Sequence, residues 1–178
     1  MPEPKTGNLM RRKEILKKGL LYHAVHGLCR IDRMIQQNHS GEKVLCYSLV
    51  PNIGNQMRIR FIIGTHDLEA SGFHTLISIK EANEILDYFK TGASRAAQTH
   101  PAWTLAQNIL SFSLEGAVSK DQRKRQVLKY SAKGLVGELA FVLKTTLKQA
   151  SEKIQDNLRK TSKVNLVVTS ALVEAADD

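Results

Sequence analysis

Between residues 57 and 92 the spacing of apolar positions changes once, from two to about three and a half. Ile59, Phe61 and Ile63 alternate with Arg58 and Arg60, the pattern of a strand with one buried face and guanidinium groups on the other. A polar link over 65–72 leads into a second extended run, 73–79, and the two read as a pair of strands. Ile79, Ala82, Ile85, Leu86 and Phe89 then fall on one helical face, which predicts a helix closing over the buried side of the sheet. Ser78 with Glu81 three residues on forms a capping box, and Gly92 stands where a left-handed terminator is wanted.

The rest of the chain extends this frame in both directions. Pro2, Pro4 and Gly7 predict a flexible leader over 1–8. From Leu9 onward Leu16, Leu20, Ala24, Leu28, Ile31 and Ile35 fit one face of a helix, with Gly19 and Gly27 as points where it breaks into two. The turn 38–41 precedes a strand over 43–50 that Pro51 ends, so short links join neighbouring strands into an antiparallel meander. Pro101 opens a helix carrying Trp103, Ala106, Ile109 and Leu110, and Gly116 closes it. Ser119 with Gln122 forms a further capping box, opening a helical tract toward Lys160. Its stripe runs through Leu128, Leu135, Leu139, Val142, Leu143, Leu147, Ala150, Ile154 and Leu158, and with Gly134 and Gly137 inside it the tract is either one rod or two helices with a kink near there. Val164, Leu166 and Val168 alternate as a last strand before an acidic tail over 174–178.

The expected fold is therefore α+β: a small antiparallel sheet of three to five strands packed against helices, with a helical C-terminal half. The divisions are the leader at 1–8, a helix, sheet and capped helix over 9–92, a helical region over 93–163 that packs on the sheet or mediates self-association, and a strand with tail over 164–178. For a chain of 178 residues with 42% hydrophobic and 24% charged residues, a core forms without staples. Cys29 and Cys46 read as two reduced, packed thiols, which excludes a disulfide scaffold. The sequence offers neither a secretory signal nor a membrane-spanning run, so an intracellular protein, cytoplasmic or nuclear, is expected.

Charge sharpens the picture more than composition does. Lys plus Arg exceed Asp plus Glu by 26 to 17, a formal net charge of +9, which points to a polyanionic partner. Glycine-rich phosphate loops, nucleophile elbows and His-Glu-x-x-His helices do not occur, so the expectation is a non-enzymatic protein with no catalytic residues, cofactor, metal or small-molecule substrate. His23, His26 and Cys29 recur at intervals of three on the expected N-terminal helix, a spacing that drifts around it, and a zinc site would need a fourth ligand from elsewhere.

The basic residues are grouped. Arg11, Arg12, Lys13, Lys17 and Lys18 crowd the start of the expected N-terminal helix, and Arg58 and Arg60 share a strand face. Lys120, Arg123, Lys124, Arg125, Lys129 and Lys133 open the long helical tract, and a fourth group runs from Lys144 to Lys163. Acidic residues at pairing distance along the helix are scarce, so these stripes read as left for an external anion. Nucleic acid, RNA or single-stranded DNA, is the expected partner, with Tyr47, Phe61, Phe73, Tyr88 and Trp103 available for base stacking. Strands leading straight into a capped helix resemble, in outline, the single-strand-binding modules of the Whirly type, and the resemblance implies single-stranded ligands. The alternative is a viral matrix-like structural protein binding acidic membranes and nucleoprotein, and in both cases a homo-oligomer associating through its helical stripe is expected.

Overall fold

The computed structural model describes residues 19–52, 59–93, 99–115, 120–163 and 165–177. Its α+β fold divides into two compact units, Met1–Leu76 and Ile77–Asp178. The first unit is built on a four-stranded antiparallel sheet. Strands β1 (Leu20–His23), β2 (Gly27–His39), β3 (Glu42–Pro51) and β4 (Phe61–Gly64) lie side by side in chain order.

The expected meander is present, but it begins earlier than its residues predicted. Residues 20–39 are strands and not the expected helix, with Leu21 opposite Cys29 and Tyr22 opposite Leu28 across a tight turn. Gly19 (φ 65°), just before β1, and Gly27 (φ 69°), where β2 begins, are left-handed positions and not weak points in a helix. The second turn places Ser40 (φ 50°) and Gly41 (φ 88°) in the left-handed region, the backbone a tight hairpin needs to follow strand twist. The stretch 73–79 forms no strand. It contributes one bridge, in which the N–H groups of Tyr22 and His74 donate to each other's carbonyls at 2.8 and 3.0 Å.

One face of the sheet buries Leu21, Cys29, Tyr47 and Leu49 together with Leu68 and Phe73, and Ile31, Phe61 and Ile63 pack against that cluster. The alternation predicted for β4 holds at Phe61 and Ile63, whereas Ile59 is exposed. The opposite face is buried as well at Leu28, Cys46, Ser48 and Val50. Both cysteines are free and buried, and burial pushes the Cys29 thiol above its ordinary range.

The second unit contains five helices among the described residues. Helix α1 (Ile79–Thr91) has the predicted capping box, with Ser78 Oγ accepting from the Glu81 N–H and Gly92 (φ 68°) ending the helix. Ser78→Ala should lower stability by about 1 kcal/mol, read as a shift in the urea midpoint. Its face Ala82, Ile85, Leu86 and Phe89 is buried, while Ile79 is exposed. Helix α2 (Pro101–Leu114) carries the predicted proline in its first turn and buries Trp103, Ala106, Ile109 and Leu110.

Helix α3 (Gln122–Leu143) is capped by Asp121, which accepts from the N–H groups of Arg123 and Lys124. It runs unbroken through Gly134 and Gly137, and the break falls instead at Lys144, in the left-handed region at φ 53°. Thr146 and Gln149 then form the capping box that opens α4 (Leu147–Thr161), a local signal that outweighs the glycines. Residues 166–176 are helix α5 (Leu166–Ala176), not a strand, because Asn165 caps its first turn and Ala171, Leu172 and Ala175 continue a buried helical face. Glu174 belongs to this helix and not to a tail.

Of the stripe expected to mediate self-association, Leu128, Leu135, Leu139, Ala150, Ile154 and Leu158 are buried within the chain, and Val142, Leu143 and Leu147 are half-buried. Hydrogen bonds tie α1 to α4, with Asn157 Nδ2 donating to the Leu86 carbonyl at 3.1 Å and Thr161 Oγ1 donating to that of Phe89. Glu138, fully buried on α3, accepts from the Ile77 N–H at 3.1 Å. No described helix is long and apolar enough to cross a membrane.

Candidate nucleic-acid interface

Among the described residues of the first unit, a basic site is built on an irregularity in β2. Ile31 faces Leu49 and Arg33 faces Ser48, so Asp32 is an extra residue with no partner of its own on β3. A bulge of this kind bends the strand and re-aims the side chains around it. Arg30, opposite Val50, and Arg33, opposite Ser48, project on the face away from the apolar cluster. Arg60, just before β4, reaches the same face and spans β3. Its Nη1 donates to Ser48 Oγ at 2.8 Å and to Asp32 Oδ2 at 2.5 Å. Arg33 Nε lies 3.9 Å from the same carboxylate oxygen.

The Asp32 carboxyl is thus lowered from its ordinary pKa. The hydrogen bond from Arg60 is the largest cause, joined by the charges of Arg60, Arg33 and Arg30 against a smaller opposing effect of burial. Arg60 and Arg33 flank the one carboxylate, and Arg30 stands on the same face, so positive charge exceeds negative there. The side chain of Arg33 is 67% exposed and that of Arg60 39%, so solvent and solutes reach both. A planar guanidinium presents paired donors suited to carboxylate or phosphate, and several on one face suit a chain of phosphates.

A second basic surface lies along the first turns of α3, where Lys120, Arg123, Lys124, Arg125, Lys129 and Lys133 are all exposed. They are not uniformly left without counterions, which corrects the expectation of bare stripes. Lys124 Nζ meets Glu115 Oε2 at 2.9 Å, and this hydrogen bond, with the Glu115 charge, raises the Lys124 pKa. Lys129 Nζ meets Glu174 Oε1 at 2.9 Å, and in the fourth group Arg159 meets Asp156 at 3.1 Å. Arg123 and Arg125 carry no ion pair among the described residues. Tyr130 and Val127 are exposed beside these charges.

Of the residues the sequence singled out, Arg11, Arg12, Lys13, Lys17, Lys18 and Arg58 lie outside the described residues. The proposed stacking aromatics are unavailable, since Tyr47, Phe73, Tyr88 and Trp103 are buried and Phe61 packs on the core. His23, His26 and Cys29 do not share a helix. His23 Nδ1 accepts from the N–H groups of Val25 at 3.1 Å and His26 at 3.2 Å, and Cys29 is in the core. That imidazole nitrogen closes a turn instead of presenting itself to a metal.

Arg30, Asp32 and Arg33 were missed because their segment reads as helical. The signal that would have found them is the turn at 38–41 flanked on both sides by extended runs, the signature of a hairpin. No protein-family model matches the chain. No curated protein matches it either.

Proposed function

We propose that this is a non-enzymatic nucleic-acid-binding protein that grips the phosphate backbone through Arg30, Arg33 and Arg60, with the exposed Arg123, Arg125 and Lys133 of α3 as a second contact surface. The arginine cluster around Asp32 supports the reading: Arg60 and Arg33 meet one carboxylate with their side chains exposed, and Arg30 shares their face. Contacts of this kind supply affinity and not sequence choice. Buried aromatics favour phosphate-backbone contact over base stacking.

The test is binding of a fluorescent oligonucleotide, single-stranded and duplex, between about 50 and 200 mM salt. Arg30→Ala with Arg33→Ala should weaken binding and flatten the logarithmic salt dependence by about 1.4–1.8, the share of two phosphate contacts. Because Arg30 and Arg33 are exposed, the double variant should keep its thermal midpoint. Unchanged slope and affinity would remove the sheet from the binding surface. Capture by anionic vesicles without any oligonucleotide binding would assign the same guanidinium groups to lipid headgroups.

A further inference from the structure

We infer that Asp32 is the resident occupant of a phosphate site, its carboxylate standing where a backbone phosphate oxygen sits in the bound state. The inference rests on the nucleic-acid reading above and adds to it the identity of the group that is displaced.

The geometry separates the arginine that stays from those that move. Arg60 has two anchors, and one of them, Ser48, is fully buried, so its guanidinium keeps a fixed attachment when Asp32 lets go. Arg33 is held only loosely, at 3.9 Å, and its side chain is mostly exposed. Carboxylate and phosphate oxygens make the same demands on a guanidinium, so one replaces the other without rearranging the donors. The bulge is what brings the carboxylate there, since Asp32 is the residue that β2 has in excess over β3.

The consequence is selection by charge density. An isolated phosphate must displace an intramolecular carboxylate for the gain of one contact. A polynucleotide presents successive phosphates to Arg60, Arg33 and Arg30 together, and several contacts offset the one that is broken. The ligand class is therefore a phosphodiester chain, not a mononucleotide.

Asp32→Asn in the full chain tests this, with Glu42→Gln, an exposed acid at the far end of the same hairpin, as the control for charge alone. Removing the occupant should tighten oligonucleotide binding about two- to fivefold, the worth of one exposed ion pair that no longer has to be broken, while the salt dependence stays about as steep because the same phosphates are held. Glu42→Gln should change affinity less than about twofold, because solvent and salt screen a distant exposed charge. The inference is overturned if Asp32→Asn binds as the wild type does, or if Glu42→Gln strengthens binding equally. Should Asp32→Asn fail to fold, Asp32→Ala removes the same charge and is judged by the same two criteria. If the Arg30/Arg33 double variant binds more weakly while both Asp32 variants bind as the wild type does, only the displacement falls. If the wild type and the Asp32 variants all fail to bind, the nucleic-acid reading falls with it.

Discussion

Replacing Phe89 with alanine should cost the protein about 3–5 kcal/mol, several times the loss expected at the Ser78 cap. The ring is fully buried on α1, with Tyr88 beside it at 6.0 Å between centroids, and its own carbonyl takes the Thr161 hydroxyl from α4. Truncation removes the transfer free energy of the ring and leaves a cavity where two helices are already tied by hydrogen bonds, so little collapse can fill it. Urea unfolding followed by helical circular dichroism reads the effect. Val173→Ala, at a side chain on α5 that is 47% exposed, should shift the midpoint only slightly by comparison. A Phe89→Ala loss below about 1 kcal/mol would mean that α1 does not depend on its buried face.

The stability of the sheet unit should fall as the solution is acidified through the histidine range. His23 Nδ1 accepts two N–H groups of the 24–26 turn, while its ring stacks on His26 at 4.5 Å and lies against Phe73 at 4.8 Å. Gly72, at φ 84°, passes so close that a Cβ there would sit 2.8 Å from His23 Nε2. Burial is the largest cause holding this imidazole below its ordinary 6.5, and the charges of His26 and His74 add to it against a raising hydrogen bond from the Ser71 backbone. The folded pKa is depressed, so below the ordinary value the unfolded chain takes up a proton that the folded one resists. Stability from this group is therefore complete above pH 6.5 and lost as pH falls through the lower, folded value. Urea midpoints taken from about pH 8 to about pH 5 should decline on the acid side, and His23→Asn, whose amide oxygen offers the turn a non-titrating acceptor, should decline less. Parallel curves for the two proteins would show that His23 contributes nothing to the acid sensitivity.

These two sites differ in how openly the sequence announces them. Helix α1 is legible because its boundary marks are local: Ser78, Glu81 and Gly92 act within a turn of the residues they terminate. Pro101 is legible for the same reason. The hairpin over 20–39 is not, because Leu20, Leu28, Ile31 and Ile35 satisfy a helical period, and what decides against it is pairing such as that of Leu21 with Cys29. Residues 164–168 err the other way: three alternating apolar positions are too few to distinguish a strand from the first turn of a helix, and Asn165 as the cap decides.

The proposed binding surface is half legible by the same logic. Alternation along β4 placed Arg60 on an outer face, and the structure puts it opposite the apolar cluster. Its neighbours Arg30 and Arg33 could be found only once β2 was known to pair with β3. The counterion of Lys129 was invisible to any rule of helical spacing, because it comes from α5, 45 residues away.

The sheet is ordered as the chain is ordered, each strand lying beside the one synthesised before it. The β1–β2 and β2–β3 ladders can close over tight turns as soon as their second strands appear, with little entropy lost to bringing distant residues together. The arginine face can therefore be assembled at the ribosome while the residues of the helical unit are still being added, so the proposed phosphate contacts need not wait for the C-terminal half to fold.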